Sequence, residues 1–441
     1  MLKITFMGAG STVFARNVLG DVMLCDALRE CEIALYDIDP VRLEESRRIL
    51  STLNENINEG RAVLKPFLGV ENRRDALRGA SFVVNAIQVG GYEPCTVTDF
   101  EIPKKYGLRQ TIADTLGIGG IMRALRTIPV MEDFARDMEE VCPGALLLNY
   151  TNPMAMLTGY ISRYTGVRMV GLCHSVQSCS RTLLTELGME DKLEGRKEII
   201  AGINHMGWLL SIQDKDGNDL YPEIRRRAKE KNAGEKHSDM VRLDYIDKLG
   251  YYCTESSEHN AEYNPFYIKS RYPELIERFN IPLDEYPRRC VSQISEWKEM
   301  SGKLLSDPHL THKRSSEYAS HIMEAVRTDK PYRIGGNVLN TGRLIEDFPQ
   351  QACVEVPCLV DGAGIHPTYI GSLPPVLAAM NMTNINTQLL TIEAARTRKK
   401  EDILRAVMLE PHTAAELSID DMAKMVDELI ETHGPYMAMY R

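Results

Sequence analysis

A glycine turn follows the first predicted strand. The apolar residues 4–7 lead into Gly8-Ala9-Gly10-Ser11-Thr12, and a second predicted strand, residues 32–37, ends in Asp37. Gly8 permits a tight turn after a strand. Gly10 lets the backbone approach a pyrophosphate, which the amides at the start of the following helix then face. Because an acid at the end of the second strand can accept hydrogen bonds from ribose hydroxyls, this order predicts a dinucleotide-binding domain.

The turn departs from the three-glycine signature, because Val13 stands where the third glycine would be. An ordinary strand-to-helix turn therefore stays open as an alternative. Asp37 favours NAD over NADP, since its carboxylate would repel a 2′-phosphate, although the nearby Arg42 weakens that inference.

Charge and hydropathy exclude several classes of protein. The 441 residues carry a formal net charge of −10, which argues against a nucleic-acid surface. We see no apolar run long enough to span a membrane, and residues 1–6 already read as a strand, so we expect no export signal. The ten cysteines are scattered without a Cys-x-x-Cys pair. This favours reduced thiols and a cytoplasmic location.

The predicted elements divide the chain into two parts. Up to residue 195, apolar strands alternate with helices such as 40–56 and 121–141, which predicts an α/β, Rossmann-like, doubly wound parallel sheet. We expect residues 1–195 to form the NAD-binding domain and residues 196–441 to form a C-terminal α+β domain that closes a cleft. A hairpin turn is predicted at 216–218.

Polar residues cluster where predicted strands end, which is the edge of a parallel sheet that binds ligands. Asn152 follows one strand, Cys173 and His174 follow the next, and His205 lies further along the chain. A thiolate and imidazoles suit a divalent transition metal, but a buried cysteine with hydrogen-bonded histidines is the alternative. Asn152 precedes Pro153 and either forms a turn or holds a substrate.

Two further positions have competing interpretations. Asp114 precedes a predicted helix and either caps it or faces a ligand, and the following Gly119-Gly120 suggests backbone close to a ligand. Tyr251 and its neighbour Tyr252 either act as a base, if a nearby charge lowers the pKa, or pack as core aromatics.

These residues together resemble glycoside hydrolase family 4, and within it the α-galactosidases (melibiases). The Cys-His-Ser triplet resembles that of the α-galactosidases, which act on unphosphorylated sugars. A Cys-Asp-Met-Pro sequence at this position would instead resemble the 6-phospho-α-glucosidases. The resemblance spans essentially the whole chain, in the motifs Gly8-Ala9-Gly10-Ser11-Thr12, Tyr36-Asp37-Ile38-Asp39-Pro40, Gly90-Gly91-Tyr92-Glu93, Asp114-Thr115-Leu116-Gly117, Asn152-Pro153, Cys173-His174-Ser175, Asn204-His205, Thr254-Glu255-Ser256-Ser257-Glu258-His259 and Pro411-His412-Thr413.

The resemblance implies a nucleotide domain like that of lactate and malate dehydrogenases, with NAD and a divalent metal, usually Mn²⁺, as obligatory cofactors. It also implies a mechanism outside the two-carboxylate scheme. Hydride passes from C3 of the galactosyl ring to NAD⁺, a base removes the acidified C2 proton, and the leaving group departs. Water then adds and the hydride returns, so no net oxidation occurs.

The resemblance also assigns roles to residues. Cys173 and His205 match the metal ligands, and His174 matches the proton donor, where some relatives have aspartate. Tyr251 matches the C2 base, with Tyr252 and Tyr263 as alternatives. Asp114 matches the acid that raises its basicity, and Asn152 matches the residue that holds sugar hydroxyls. The implied nucleotide-binding residues are Gly8, Gly10, Ser11, Thr12, Asp37 and Asp39.

The expected substrate is a small α-galactoside of the melibiose type, and the resemblance implies a homodimer or homotetramer without a nucleic-acid or membrane partner. Three alternatives stay open: a family 4 hydrolase for α-glucosides or uronides, an NAD-dependent 2-hydroxy-acid dehydrogenase, and a redox-sensing regulator. The preferred aglycone, the physiological metal and the symmetry of the oligomer do not follow from the sequence.

Overall fold

One continuous sheet runs through the molecule. The computed structural model describes residues 1–440. The strands are β1 (Leu2–Met7), β2 (Cys31–Asp37), β3 (Val63–Leu68), β4 (Phe82–Asn85), β5 (Leu146–Asn149), β6 (Arg168–Gly171), β7 (Lys197–Ile203), β8 (Met206–Gln213), β9 (Tyr252–Cys253), β10 (Tyr332–Leu339), β11 (Cys353–Asp361) and β12 (Gly364–Pro367).

The helices surround this sheet and account for most of the remaining chain. They are α1 (Thr12–Leu24), α2 (Pro40–Asn58), α3 (Arg73–Leu77), α4 (Val97–Lys105), α5 (Gly117–Val141), α6 (Met154–Tyr164), α7 (His174–Glu186), α8 (Tyr221–Asn232), α9 (Met240–Leu249), α10 (Ser257–Glu262), α11 (Glu274–Arg278), α12 (Glu285–Ser306), α13 (Ala319–Thr328), α14 (Pro375–Thr397), α15 (Lys400–Met408), α16 (Pro411–Glu416) and α17 (Ile419–His433). Within residues 1–440, we find no helix with both the length and the apolar character needed to cross a membrane.

The first six strands are parallel and lie in the order β3-β2-β1-β4-β5-β6. This is the strand order of a dinucleotide-binding sheet. Every residue of β4 and β5 is buried, as expected for parallel strands that are covered by helices on both faces. The prediction of an α/β, doubly wound sheet is confirmed.

The second half of the chain extends the same sheet with antiparallel strands. The register pairs Asn337 of β10 with Gly171 of β6, and β11, β7, β8 and β9 follow outward. Helix α14 of the C-terminal part packs against α5 and α6. Because the sheet continues across residue 195, the division into units 1–195 and 196–441 stays a prediction.

One local expectation differs from the structure. Helix α5 begins at Gly117, four residues before the predicted start at 121. The predicted hairpin turn at 216–218 is confirmed, because the antiparallel Gln213–Asp219 bridge encloses it, and a second turn, between β7 and β8, is formed by Asn204 and His205. Hydrophobic periodicity alone does not distinguish the start of α5, because glycine and asparagine occur both in turns and at helix ends.

The buried Asp21 connects helix α1 with residues 312–315, which lie far along the chain. Asp21 on α1 accepts hydrogen bonds from Nε2 of His312 at 2.7 Å and from the backbone amide and hydroxyl of Ser315 at 2.9 and 2.6 Å. Burial acts to raise the pKa of Asp21, but the hydrogen bonds from His312 and Ser315 outweigh it, and the net pKa lies below its ordinary value. The charged carboxylate therefore stabilises this connection.

Replacement of Asp21 by asparagine should lower the free energy of unfolding by about 1–3 kcal/mol at pH 7, because buried donors lose their acceptor. Since the folded-state pKa is lowered, the stabilisation is complete above the ordinary carboxyl pKa and disappears as the pH falls through the folded value. Thermal unfolding of both proteins from pH 7 to about pH 3 measures this.

The control is Asp26→Asn, whose carboxylate is exposed and pairs only with Arg29 among the described residues. Such surface pairs contribute little to stability. An equal loss in both variants, or a loss in Asp21→Asn that does not shrink at low pH, would contradict the assignment.

Candidate active site

A cleft of about 580 Å³ opens where the parallel strands end. This volume is typical of pockets that hold small ligands. The residues that follow β4, β5 and β6 line one side, and residues from the β7–β8 turn and from α10 line the other. The polar residues among them include Gln88, Asp114, Arg123, Asn152, Cys173, His174, His205, Arg242, Glu255 and His259.

Three potential metal ligands meet in this cleft. Cys173 stands directly before α7, His205 lies in the turn between β7 and β8, and Glu255 follows β9. Their ligand atoms all lie within 4.8 Å of one another, and Nε2 of His205 is 3.2 Å from Oε2 of Glu255. Sulfur, nitrogen and oxygen ligands together suit a divalent transition metal, with the carboxylate suiting Mn²⁺ and the thiolate and imidazole suiting Zn²⁺.

The backbone of this cluster is unusual at two positions. His205 and Glu255 both have a φ of 64°, in the left-handed region that non-glycine residues rarely adopt. Strain of this kind is retained where the surrounding structure imposes it, and such positions concentrate at functional sites. Both side chains are directed into the cleft.

The electrostatics of the three groups complement a cation. Burial raises the pKa of the Cys173 thiol, and the charges of Glu355 and Glu255 raise it further. Burial lowers the pKa of His205, which favours the neutral imidazole that metals bind. Burial acts to raise the pKa of Glu255, but the charges of His205 and His259 outweigh it and lower the pKa to about 2. A Cys173 thiolate in this setting requires a positive charge beside it.

His174 also lines the cleft and has a carboxylate partner. Its Nε2 lies 2.7 Å from Oε2 of Glu317, and this hydrogen bond raises the pKa of His174. The imidazole is therefore held in one orientation, and its protonated form is favoured. Glu317 lies in the same segment as Ser315, which Asp21 holds, and its amide donates a hydrogen bond to the Ser315 hydroxyl. These buried contacts therefore connect α1 with the cleft.

The structure separates the candidate tyrosines. Tyr263 is fully buried, and its hydroxyl lies 3.0 Å from Nδ1 of His205. Tyr251 is only half-buried and packs against Tyr221, with the ring centroids 5.7 Å apart, in a separate cluster that includes Tyr252. Neither Tyr251, the expected base, nor Tyr263 lines the cleft, but the Tyr263 hydroxyl contacts His205, which does. Tyr251 lies a few residues before Glu255 in the chain, and its ring packs against Tyr221 instead.

Asp114 faces the cleft and does not cap a helix. Leu116 stands at the N-terminus of α5, and the carboxylate of Asp114 instead accepts a hydrogen bond from the Thr115 hydroxyl at 2.8 Å. Arg123 and His259 each lie 3.9 Å from it. A Cβ on Gly119 would lie 2.4 Å from the carbonyl oxygen of Ala113. Gly119 is therefore required by the approach of this loop to the helix.

Asn152 lines the cleft at the end of β5 and also forms a turn. Its Oδ1 accepts a hydrogen bond from the amide of Met154 at 3.2 Å, which leaves the amide nitrogen of the side chain available. The two interpretations from the sequence are therefore compatible at this position.

The glycine turn lies beside the cleft. Gly8 has a φ of 86°, and a Cβ there would lie 2.8 Å from the carbonyl oxygen of Ala86. The amide of Gly10 donates to Asp37 at 2.6 Å, which joins the turn to the end of β2. Within the described residues, the Ser11 side chain makes no capping hydrogen bond to α1. The first amides of this helix can therefore bind an anion.

Two of the expected nucleotide-binding residues have other partners. The hydroxyl of Thr12 is buried and lies 2.8 Å from that of Ser46, so it faces α2. The carboxylate of Asp39 caps α2 by accepting the amides of Val41 and Arg42 at 2.9 and 3.1 Å. The proposed contacts of these two side chains with a nucleotide stay predictions.

Sequence reasoning missed several residues of the site. Glu255 and His259 belong to the motif of residues 254–259, but nothing in that motif distinguished the residues that face the cleft. Arg123 lies inside a long helix, and Glu317 lies far along the chain. The signal that existed was the motif around Glu255, which we used only for the resemblance.

The comparisons with known proteins agree with the geometry. Residues 3–189 match the family model described as family 4 glycosyl hydrolase, and residues 200–413 match that of its C-terminal domain. The chain is 59% identical to an α-galactosidase of Bacillus subtilis strain 168 over 441 residues, covering 100% of both chains. It is 32% identical to an α-galactosidase of Rhizobium meliloti strain 1021, covering 99% of this chain and 89% of the relative.

A solved structure shares the fold. The 6-phospho-β-glucosidase of Thermotoga maritima, solved with manganese, NAD⁺ and glucose-6-phosphate, has a TM-score of 0.78 and 21% identity over 99% of each chain. The resemblance inferred from the motifs is confirmed: the chain belongs to glycoside hydrolase family 4.

Proposed function

We propose that this protein is an α-galactosidase that hydrolyses small α-galactosides of the melibiose type with bound NAD and a divalent metal, Mn²⁺ or a related ion. The observation that carries the proposal is that one cleft holds three converging metal ligands and adjoins a nucleotide-binding turn. The two relatives that are named α-galactosidases support the choice of sugar.

The residues present fit both cofactors. Cys173, His205 and Glu255 would hold the metal through sulfur, nitrogen and oxygen, and they leave coordination positions for substrate oxygens. The turn at Gly8 and Gly10 and the first amides of α1 would hold the pyrophosphate of NAD. When bound, NAD⁺ takes up the hydride of C3 and later returns it, while the metal withdraws electron density from the oxygens at C2 and C3.

Tyr263 is our candidate for the base that removes the C2 proton. Burial and the charges of Asp114, Glu262 and Glu255 raise its pKa well above the ordinary value, so its hydroxyl is neutral unless positive charge lies nearby. A cation held by Cys173, His205 and Glu255 would favour ionisation of Tyr263. The carboxylate of Asp114 increases the basicity of the phenolate.

His174 is the candidate proton donor to the departing oxygen. Its hydrogen bond with Glu317 raises the pKa of the imidazole, which favours the protonated form, and fixes its orientation. The rings of Phe14 and Tyr150 lie beside it, with centroids 6.4 and 5.6 Å from that of His174, and the imidazole itself stays accessible from the cleft. Asn152 is placed to hold sugar hydroxyls.

Domain organisation, location and assembly belong to the same proposal. We assign residues 1–195 to the NAD-binding unit and residues 196–441 to the substrate unit. The ten cysteines are all free and buried, which suits a reducing cytoplasm. A homodimer or homotetramer rests on the family resemblance, and sedimentation equilibrium measures it directly.

A panel of nitrophenyl sugars tests the activity. The α-galactoside should be hydrolysed faster than the α-glucoside and the α-galacturonide, and only with both NAD⁺ and Mn²⁺ present. Release of nitrophenol should proceed without net accumulation of NADH, because the hydride is returned. Stoichiometric formation of NADH from a 2-hydroxy acid would instead favour a dehydrogenase, and faster cleavage of another sugar would replace the proposed substrate.

The metal site is tested by chelation and by Glu255→Gln. Treatment with EDTA should abolish hydrolysis, and Mn²⁺ should restore it. Loss of one charged ligand should weaken Mn²⁺ binding by at least about 10- to 100-fold, measured by calorimetry on the nucleotide-bound protein. Glu198→Gln, on β7 and paired with Arg196, is the control and should bind Mn²⁺ normally. Full activity after thorough chelation would remove Cys173, His205 and Glu255 from this role.

The two tyrosines provide a matched pair of variants. Tyr263→Phe should lower kcat by on the order of 10²- to 10⁴-fold, because a general base is lost, whereas Tyr251→Phe should remain close to wild type. Exchange of the C2 hydrogen with deuterated solvent should fall in Tyr263→Phe alone. If exchange persists there and disappears in Tyr251→Phe, the assignment of the base reverses.

A further inference from the structure

Glu262, the last residue of α10, is fully buried beneath the cleft. Its carboxylate accepts three consecutive backbone amides. Thr111 donates at 2.7 Å, Ile112 at 3.2 Å and Ala113 at 2.8 Å. Three converging amide donors hold the peptide segment against this side chain, and they oppose the burial that raises the pKa of Glu262 to about 7.

The segment that Glu262 holds leads directly to Asp114. Ala113 has a φ of 52°, which places the residue before Asp114 in the left-handed region. A non-glycine residue there is disfavoured and persists only where the surroundings impose it. The hydrogen bond from the Ala113 amide to Glu262 is one of the contacts that maintain this conformation, and the direction of the Asp114 side chain depends on it.

The residue after Glu262 faces the metal ligands. Tyr263 follows in sequence, and its hydroxyl lies 3.0 Å from Nδ1 of His205. Two consecutive residues therefore have different tasks: one fixes the loop of Asp114, and the other reaches a metal ligand. The two segments are about 150 residues apart in the chain, since Glu262 and Thr111 are separated by 151 positions.

We propose that Glu262 is a positioning residue that fixes Asp114 relative to Tyr263, so that the acid and the tyrosine share one rigid support. Its effect on turnover rests on the proposed function, in which these two groups act on the C2 proton. Its effect on the loop does not, because the hydrogen bonds exist whatever the reaction.

Glutamine at this position keeps the size of the side chain but directs an NH₂ group toward backbone amides, so at least one amide of residues 111–113 loses its acceptor. Aspartate keeps the charge but shortens the reach. Glu410 supplies a matched control, because it is equally buried and accepts the amides of His412 and Thr413 at 3.1 and 2.6 Å at the start of α16, and none of these three residues lines the cleft. His412 lies 2.9 Å from the carbonyl oxygen of Arg109, outside the amides of residues 111–113 that Glu262 accepts.

The experiment compares wild type, Glu262→Gln, Glu262→Asp and Glu410→Gln as full-length proteins with NAD⁺ and Mn²⁺. Glu262→Gln should lower kcat by on the order of 10²-fold, because small displacements of catalytic groups have effects of that size. KM for the nitrophenyl α-galactoside and Mn²⁺ affinity should change less than about threefold, well under the tenfold that 1.4 kcal/mol represents. Glu262→Asp should recover part of kcat, and Glu410→Gln should keep it.

Hydrogen exchange gives a second readout that does not require activity. Amides of residues 111–113 should lose protection in Glu262→Gln and keep it in Glu410→Gln. Equal loss of kcat in both variants, unchanged protection of residues 111–113, or a change confined to KM would overturn the proposal. If wild type shows no NAD- and Mn²⁺-dependent hydrolysis, the proposed function fails, while the exchange experiment still decides whether Glu262 fixes the loop.

Discussion

The junction between the parallel and antiparallel halves of the sheet is the constraint on which the site depends. Asn337 of β10 pairs with Gly171 of β6, and Glu355 of β11 pairs with Gly202 of β7. These pairings bring the end of β6, where Cys173 follows, beside the turn that carries His205. The Asn337 amide donates to the carbonyl of Gly171 at 3.3 Å and to Oε1 of Glu355 at 2.9 Å, which connects the strands through buried polar contacts. Displacement of this junction would separate the thiol from the imidazole.

The balance of charge around the cleft explains how so many ionisable groups coexist there. An isolated buried charge is costly, whereas a charge with a partner of opposite sign is tolerated. Glu255 lies beside His205 and His259, and Asp114 lies near Arg123 and His259. Glu355 has no cationic partner in this arrangement, and burial raises its pKa to about 7, despite hydrogen bonds from Asn337 and Asn204. Asp114 thus has a cationic neighbour in Arg123, Glu255 has two imidazole neighbours, and burial favours the neutral form of Glu355.

Much of the fold and part of the site could be predicted from residues alone. The alternation of apolar strands and helices, the glycine turn and the acid at the end of β2 are local patterns, and the parallel sheet followed from them. Cys173, His174 and Asn152 could be placed at the edge of the sheet because they directly follow predicted strands. Tyr251 shows where such reasoning ends. The sequence pointed to a region of about ten residues around Tyr251, but only the folded path of β9 and α10 showed that Tyr263, not Tyr251, contacts His205.

Local patterns were enough to predict the class of fold, the edge of the sheet that binds ligands and the membership of family 4, because periodicity and short motifs are properties of neighbouring residues. Which distant residues meet depends on the folded structure. The convergence of Cys173, His205 and Glu255, the pairing of His174 with Glu317 and the support of the Asp114 loop by Glu262 join segments that lie far apart in the chain. Contacts of this kind arise from strand register and helix packing, which are set by the burial of the whole core and not by any local pattern.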